Sequence, residues 1–417
     1  MQHRKDRTDN FIGLKTLKKV LLLVVGTVAS VSAHSQANDD SPLRRGLVFQ
    51  DVENETYKVK LGFRIQPLFT TNFRDFEVLD DPQLIETGMQ IRRARIKLDG
   101  YLGDPRWVYK LELALGNRNL GGTSGHTSLG ARIILDAVVK YQIDGGKYSF
   151  WFGQTKLPGN RERVVSSQKL QFVDRSLANS RFNLDRDMGF QFHGKEKFLN
   201  SDWKWAVAIS QGEGRNITDL NAGGFEYTAR AEWLPLGQFT NKGDYLEADI
   251  YREESLKLSI GATYDFNNDA VRTRSNQGSW LEDAAGTFYP RDISTVIMDV
   301  MAKYNGWSMT AEWFDRTVND PVIYDEQGNF LDVFYAGSAW SSQLGYVFKS
   351  NWEVAGRYTR VTPDEVVGGA FEQYTLGVSR YVYGHNIKVQ TDVSFTNMVE
   401  TAESDPLMFR FQIEIGI

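Results

Sequence analysis

Residues 159–187, GNRERVVSSQKLQFVDRSLANSRFNLDRD, carry Arg161, Arg163, Lys169, Arg175, Arg181 and Arg186 against Glu162, Asp174, Asp185 and Asp187. Gathered guanidinium and ammonium groups attract anions. Arginine adds a planar fork of donors that matches phosphate and stays charged near neutrality. A second set lies upstream. Arg93, Arg95 and Lys97 alternate with Ile96 and Leu98, so on a strand they share one face. Lys156 stands where the aromatic run YSFWFGQ gives way to the basic stretch. These ten residues form a candidate anion-binding set. The competing role for each is to pair with a nearby carboxylate and brace the chain, most plainly for Arg93 and Arg95 beside Asp99.

Catalytic chemistry finds little footing. No H-E-x-x-H, G-x-S-x-G or P-loop pattern occurs. Beyond residue 37 the histidines are His126, His193 and His385, without metal or triad spacing. His193 alternates with Phe190 and Phe192 and reads as a residue facing water. The turn DEQGNF at Asp325 reads as solvated. Cysteine count is 0, which excludes disulfides and thiolate metal sites. No enzyme activity, cofactor or metal is expected.

The elements that position the basic set come next. The chain opens with a basic leader, the apolar run VLLLVVGTVASVSA and small residues up to Ala37, the pattern of a secretory signal peptide over residues 1–37. Without that segment 42 basic and 51 acidic residues remain, a net charge of -9. An exported acidic chain is not expected to bind nucleic acid. Residues 38–56 read as a lead-in.

From residue 57 the sequence alternates. Tyr57, Val59, Leu61, Phe63, Ile65, Pro67 and Phe69 point one way, and Lys58, Lys60, Arg64 and Gln66 the other. WVYKLELAL, WKWAVAIS, FEYTARAEW, LKLSIGATYDF and LMFRFQIEIGI repeat the form. A soluble sandwich buries such greasy faces in a core; a transmembrane barrel turns them to lipid and keeps water inside. Many strands run to about ten residues, the length of a tilted membrane strand. Aromatics cluster at the ends of the greasy faces, as in interfacial girdles, among them Tyr141, Tyr148, Trp203, Trp233, Tyr304, Trp307, Tyr346 and Trp352. Tight turns such as DGGK, NG and YGHN alternate with long connections. A mean hydropathy of -0.40 fits strands that show lipid only every second residue. The expectation is an all-β, transmembrane antiparallel β-barrel of about sixteen strands over residues 57–417. The basic segment, taken as residues 156–187, folds into its water-filled lumen.

The stretch MQIRRARIKLDGYLGDPRWVYKLELAL, then DAVVKYQ, then WFGQTKLPGNRERVVSSQKLQFVDRSL resembles the phosphate-selective porin O and P family of bacterial outer membranes. The Arg-Arg-Ala-Arg strand start, GQTKLPG and FVDRSL carry the likeness over residues 89–194. The resemblance implies a sixteen-stranded homotrimeric porin whose third outer loop lines a constriction with Arg and Lys. Two features depart from the family pattern: the chain ends in Ile417, and four acids stand among the bases of the loop.

The expected role is passive diffusion of small hydrophilic solutes across the outer membrane, favouring anions such as phosphate. The expected partners are those solutes and outer-membrane lipids. One alternative is a general or sugar-permeable porin in which Phe172 and Phe182 matter more than charge. Another is a non-conducting structural or adhesion barrel. Arg272 and Arg274 in an outer loop and Lys242 in a turn are expected to lie off the conduction path.

Overall fold

The computed structural model describes residues 47–74, 85–116, 119, 126–127, 132–218, 221–399 and 406–417. The signal peptide expected at residues 1–37 lies outside the described residues. Within the lead-in a short strand, β1 (Leu47–Gln50), pairs with β2 (Tyr57–Phe73) alone.

Antiparallel pairing continues from β2 through β3 (Ile85–Leu102), β4 (Trp107–Ala114), β5 (Ile134–Ile143), β6 (Tyr148–Lys156), β7 (Arg186–Phe198) and β8 (Ser201–Ser210). It runs on through β9 (Glu226–Leu234), β10 (Lys257–Ala270), β11 (Arg291–Tyr304) and β12 (Trp307–Val318). A separate hairpin of β13 (Val322–Tyr324) and β14 (Phe330–Val333) follows. Its turn is closed by Asp325, which accepts from the amides of Gln327 and Asn329. The main sheet resumes with β15 (Gly337–Val347), β16 (Trp352–Pro363), β17 (Phe371–Tyr383), β18 (Ile387–Met398) and β19 (Leu407–Gly416). β19 pairs with β2, from Leu407 opposite Phe73 to Gly416 opposite Arg64. Sixteen strands therefore close into a barrel and leave no edge between them. A bilayer demands this, because unpaired backbone groups in hydrocarbon are costly.

The alternation decides which face goes where. Val207, Ile209, Leu344 and Leu376 are each about half exposed on the outer surface, whereas Asp265, Thr295, Glu312 and Gln390 are buried on the inner one. Stacked or tilted pairs, Trp107–Tyr141, Trp203–Trp233 and Trp307–Tyr346, ring the end with the tight turns. The alternation of β6 falters at Gly153, whose φ of +132° and approach to the Ala137 carbonyl leave no room for a side chain.

Connections at one end are tight, as between Tyr304 and Trp307, and those at the other end are long. The connection after β6, residues 157–185, is the third on the long side. It turns into the lumen and carries two short helices, α1 (Arg161–Val164) and α2 (Leu177–Phe182). Sequence reading missed a second inward fold. Residues 235–256, between β9 and β10 on the tight-turn side, also enter the lumen, burying Phe239, Leu246, Glu247, Ala248 and Asp249.

Candidate functional site

The third loop is fastened to one half of the barrel wall. The α2 helix, capped by Ser176 accepting from the Asn179 amide at 3.0 Å, lays Ala178 and Phe182 on a patch of inward apolar residues: Ile297, Phe314, Ala339 and Val361. Wall polar groups then take up the loop backbone. Lys388 donates to the Leu170 carbonyl at 3.0 Å, Gln390 to that of Gln171 at 2.8 Å and Arg316 to that of Phe182 at 3.0 Å. Wall carboxylates accept from loop amides: Glu312 from Glu162 at 2.8 Å and Asp392 from Val173 at 3.0 Å. Gly377 opposite Phe172 makes the close approach possible, since a Cβ there would meet the ring at 2.9 Å.

With the loop lying against β11–β18, open space remains along β2–β9. A cavity of about 1370 Å³ runs there from Arg215 and Gln277 near the long loops to Lys147 and Ile417 at the tight-turn end. Among the described residues, nineteen of those lining it are Lys or Arg, and five are acidic: Glu112, Asp174, Asp185, Glu232 and Asp244.

Of the ten candidates, eight line this passage: Arg93, Arg95, Lys97, Lys156, Arg163, Lys169, Arg175 and Arg186. Most also have structural partners. Arg93 and Arg92, the latter displaced by a bulge, converge on Asp174 at 2.6 and 2.7 Å. Arg95 pairs with Glu112 at 2.6 Å, Lys97 with Asp99 at 2.7 Å and Arg186 with Asp136 at 3.0 Å, while Arg163 pairs with Asp185. Lys156 donates to the carbonyls of Arg163, Val164 and Val165, and Arg175 to those of Glu162 and Val165. These two, with Lys140, Lys169, Lys195, Arg215 and Lys242, have no carboxylate within ion-pair distance among the described residues.

Arg161 and Arg181 depart from the expected positions. Arg161 is wholly buried, with its Nε 2.9 Å from Asp299, its Nη2 2.8 Å from the Ser259 hydroxyl and its Nη1 3.6 Å from Glu232. It ties the loop to three strands and does not reach the cavity. Arg181 is exposed, with its guanidinium 5.6 Å above the Tyr335 ring. The physical reason is α1 and α2, whose turns point neighbouring side chains in different directions. Lys242 departs in the other direction: it belongs to the inserted segment 235–256 and lines the passage. Arg274 donates to the Ser180 carbonyl and Arg272 to that of Glu213, so both are fixed outside the lining. Phe172 and Phe182 are buried against the wall, away from any solute.

Sequence reasoning missed the inserted segment and Trp151. Among strand residues, Lys303 clasps that segment with three donations, to the carbonyls of Gly243 (2.8 Å), Leu246 (2.8 Å) and Ala248 (2.9 Å). Replacing it, as Lys303→Met, leaves three buried acceptors unpaired at roughly 1–3 kcal/mol each, less what relaxation and water recover. The expected outcome is faster proteolytic cleavage within 235–256 and larger, noisier single-channel steps. Unaltered cleavage and steps refute the clasp. The signal for the insert was available in its length: residues 235–256 separate β9 from β10 on a side where other connections are tight.

The loop's electrostatics follow from crowding. Burial opposes the charge on Asp174, but Arg93, Arg92 and Arg410 overcome it and hold the carboxyl far below the usual range. Asp185 is held down likewise by Arg163, Arg186 and Arg215. Burial, then Arg163 and Arg93, push Arg175 down to about 9. Burial, then Lys97, Lys242 and Lys60, push Lys169 down. The bases of the passage thus repel one another, a state that an entering anion relieves.

The model of the family described as phosphate-selective porin O and P matches residues 59–405. An uncharacterised protein of Aquifex aeolicus (strain VF5) is 22% identical over 414 residues, covering 89% of this chain and 92% of its own. Among solved structures, an anion-selective porin from Comamonas acidovorans superposes with a TM-score of 0.54 at 10% identity, covering 87% of this chain and 100% of that one. The outer membrane channel DcaP of Acinetobacter baumannii does so with a TM-score of 0.54 at 11% identity, covering 88% and 99%.

Proposed function

The chain belongs to the phosphate-selective porin O and P family, and from that premise we propose that it favours small anions such as phosphate. Family and fold make it a bacterial outer-membrane porin, which supports a channel over an enzyme. The observation that carries the anion reading is the lining of nineteen bases and five acids in a chain that is acidic overall. Charged rings at a constriction select by sign, with Arg and Lys serving anions. The five acids do not cancel the effect, because the bases outnumber them and several acids each take up two: Asp174 meets Arg92 and Arg93, Asp185 meets Arg163 and Arg186, and Glu112 meets Arg95 and Lys110. Burial of Phe172 and Phe182 counts against an aromatic sugar path built on them. The lined passage counts against a plugged, non-conducting barrel. Export by a signal peptide at residues 1–37 and assembly as a homotrimer complete the reading, on the strength of the leader pattern and the family resemblance.

The test is the reversal potential of the purified protein in a planar bilayer across a KCl gradient. The expected sign is that of a chloride-permeable pore, and a cation-selective sign defeats the proposal. Selectivity should also fall as pH rises. A lysine pushed down by burial and by its basic neighbours, as Lys169 is, loses its charge below the ordinary lysine value of about 10.4. The permeability ratio should therefore begin to drop before pH 10, and a flat profile to pH 11 removes the crowded lysines from the filter.

A further inference from the structure

We propose that Trp151 and Lys140 form a docking station in the passage for anions that carry a sugar ring, that is, for sugar phosphates. The inference rests on the anion-pore reading and adds a selectivity that charge alone does not supply.

On β6, Tyr148, Phe150 and Phe152 face outward, so Ser149 and Trp151 point into the lumen, where both line the passage. The indole is held from several sides. The His193 ring of β7 lies nearly parallel to it, 3.9 Å away with 21° between the planes. Trp151 Nε1 donates to the Ser149 hydroxyl at 2.7 Å. His193 is itself fixed by a 2.9 Å hydrogen bond between its Nε2 and Gln191 Oε1. Lys140, directly opposite Trp151 on β5, sets its Nζ 3.3 Å from the indole ring centre.

The neighbouring lysines are already committed: Lys97 to Asp99, and Lys110 to Glu112 and Asp136. Lys140 has no such carboxylate among the described residues. Its partner is the π face, and a cation–π contact is weaker than an ammonium–phosphate pair in a partly desolvated site. An arriving phosphate therefore draws the flexible lysine off the indole. That movement uncovers the face of Trp151 which Lys140 had covered. The C–H face of a sugar ring attached to the phosphate then packs on the indole, with Gln142 and Ser149 on the same wall to meet its hydroxyls. Inorganic phosphate engages the lysine and gains nothing from the ring. A neutral sugar has no means of displacing the lysine.

The experiment compares glucose 6-phosphate, inorganic phosphate and glucose as blockers of ion current through the full-length protein in planar bilayers. Glucose 6-phosphate is expected to half-block at a concentration about fivefold lower than phosphate does, the scale of one aromatic packing contact. In Trp151→Ala this ratio falls to about one, and in Trp151→Phe it is intermediate. In Lys140→Met the glucose 6-phosphate block weakens. Heat-modifiable migration of each variant verifies that the barrel is assembled. Equal half-block by the two anions in the wild type, or an unchanged ratio in Trp151→Ala, overturns the station. Block by glucose at the concentration of its phosphate ester removes the lysine from it and overturns it as well. A pore that conducts chloride yet fails these tests refutes only the station. Absence of conductance steps refutes the pore reading beneath it.

Discussion

Replacing Lys169, Arg175 and Arg215 together with glutamine lowers the anion-to-cation permeability ratio on the order of tenfold at 0.1 M salt. The three line the passage and have no carboxylate within ion-pair distance among the described residues. A unit charge about 7 Å from the ion path contributes roughly 0.6 kcal/mol in water. Screening over a Debye length of about 10 Å reduces this by about half. Each lost charge acts oppositely on anion and cation, so three of them give a combined effect of roughly 1.5–2 kcal/mol. At 1 M salt, where the Debye length is about 3 Å, the difference from wild type should nearly vanish. The control changes Arg106, Lys197 and Lys349, which are exposed and lie off the lining; its reversal potential should follow the wild type. If both triple variants shift the potential equally, general surface charge governs selectivity and the lined passage does not.

A single change at Arg161 should disturb the channel differently. In Arg161→Met, Asp299 and Glu232 lose a buried partner and retain only Arg230. Breaking a buried ion pair from one side costs roughly 3–5 kcal/mol, and the remaining arginine places this case near the lower end. The anchor of α1 to β9, β10 and β11 goes with it. The expected result is a lower temperature for the heat-modifiable band shift and single-channel steps that fluctuate in size, while the sign of ion selectivity is kept. Arg181→Met, at an exposed position, should change none of these. A quiet channel of wild-type step size and wild-type thermal transition in Arg161→Met shows that this arginine is no strut.

Alternation along single strands was enough to read sixteen barrel strands and which side chains meet lipid, because that information is local. The bounds of the basic loop were also legible, since aromatic strands flank it: it was read as 156–187 and runs from 157 to 185. Within the loop the reading lost resolution. Arg161 and Arg163 are two residues apart, yet one is sealed in the wall and the other lines the passage. Nothing local separates them. Asp299, which seals Arg161, lies 138 residues downstream. The acids Asp299, Glu312, Glu353 and Asp392 could be placed on the water side of their strands, but not assigned to a loop. Trp151 was within reach, because Tyr148, Phe150 and Phe152 already fixed the outward face of its strand. The inserted segment escaped because Leu246, Ala248 and Ile250 alternate with Glu247 and Asp249, a local pattern that does not differ from that of the flanking strands.

The fastening of the third loop also bears on the order in which the molecule is built. Gln390 reaches back 220 residues to the Leu170 carbonyl, and Lys388 reaches back 218. Contacts this remote in sequence are the slow ones, because the intervening chain must be organised before they reward the closure. Here the requirement is stricter than distance. The faces that receive the loop lie on β11–β18, all of them later in the chain than the loop itself. The loop's fastening is therefore expected to form late, after those strands have paired.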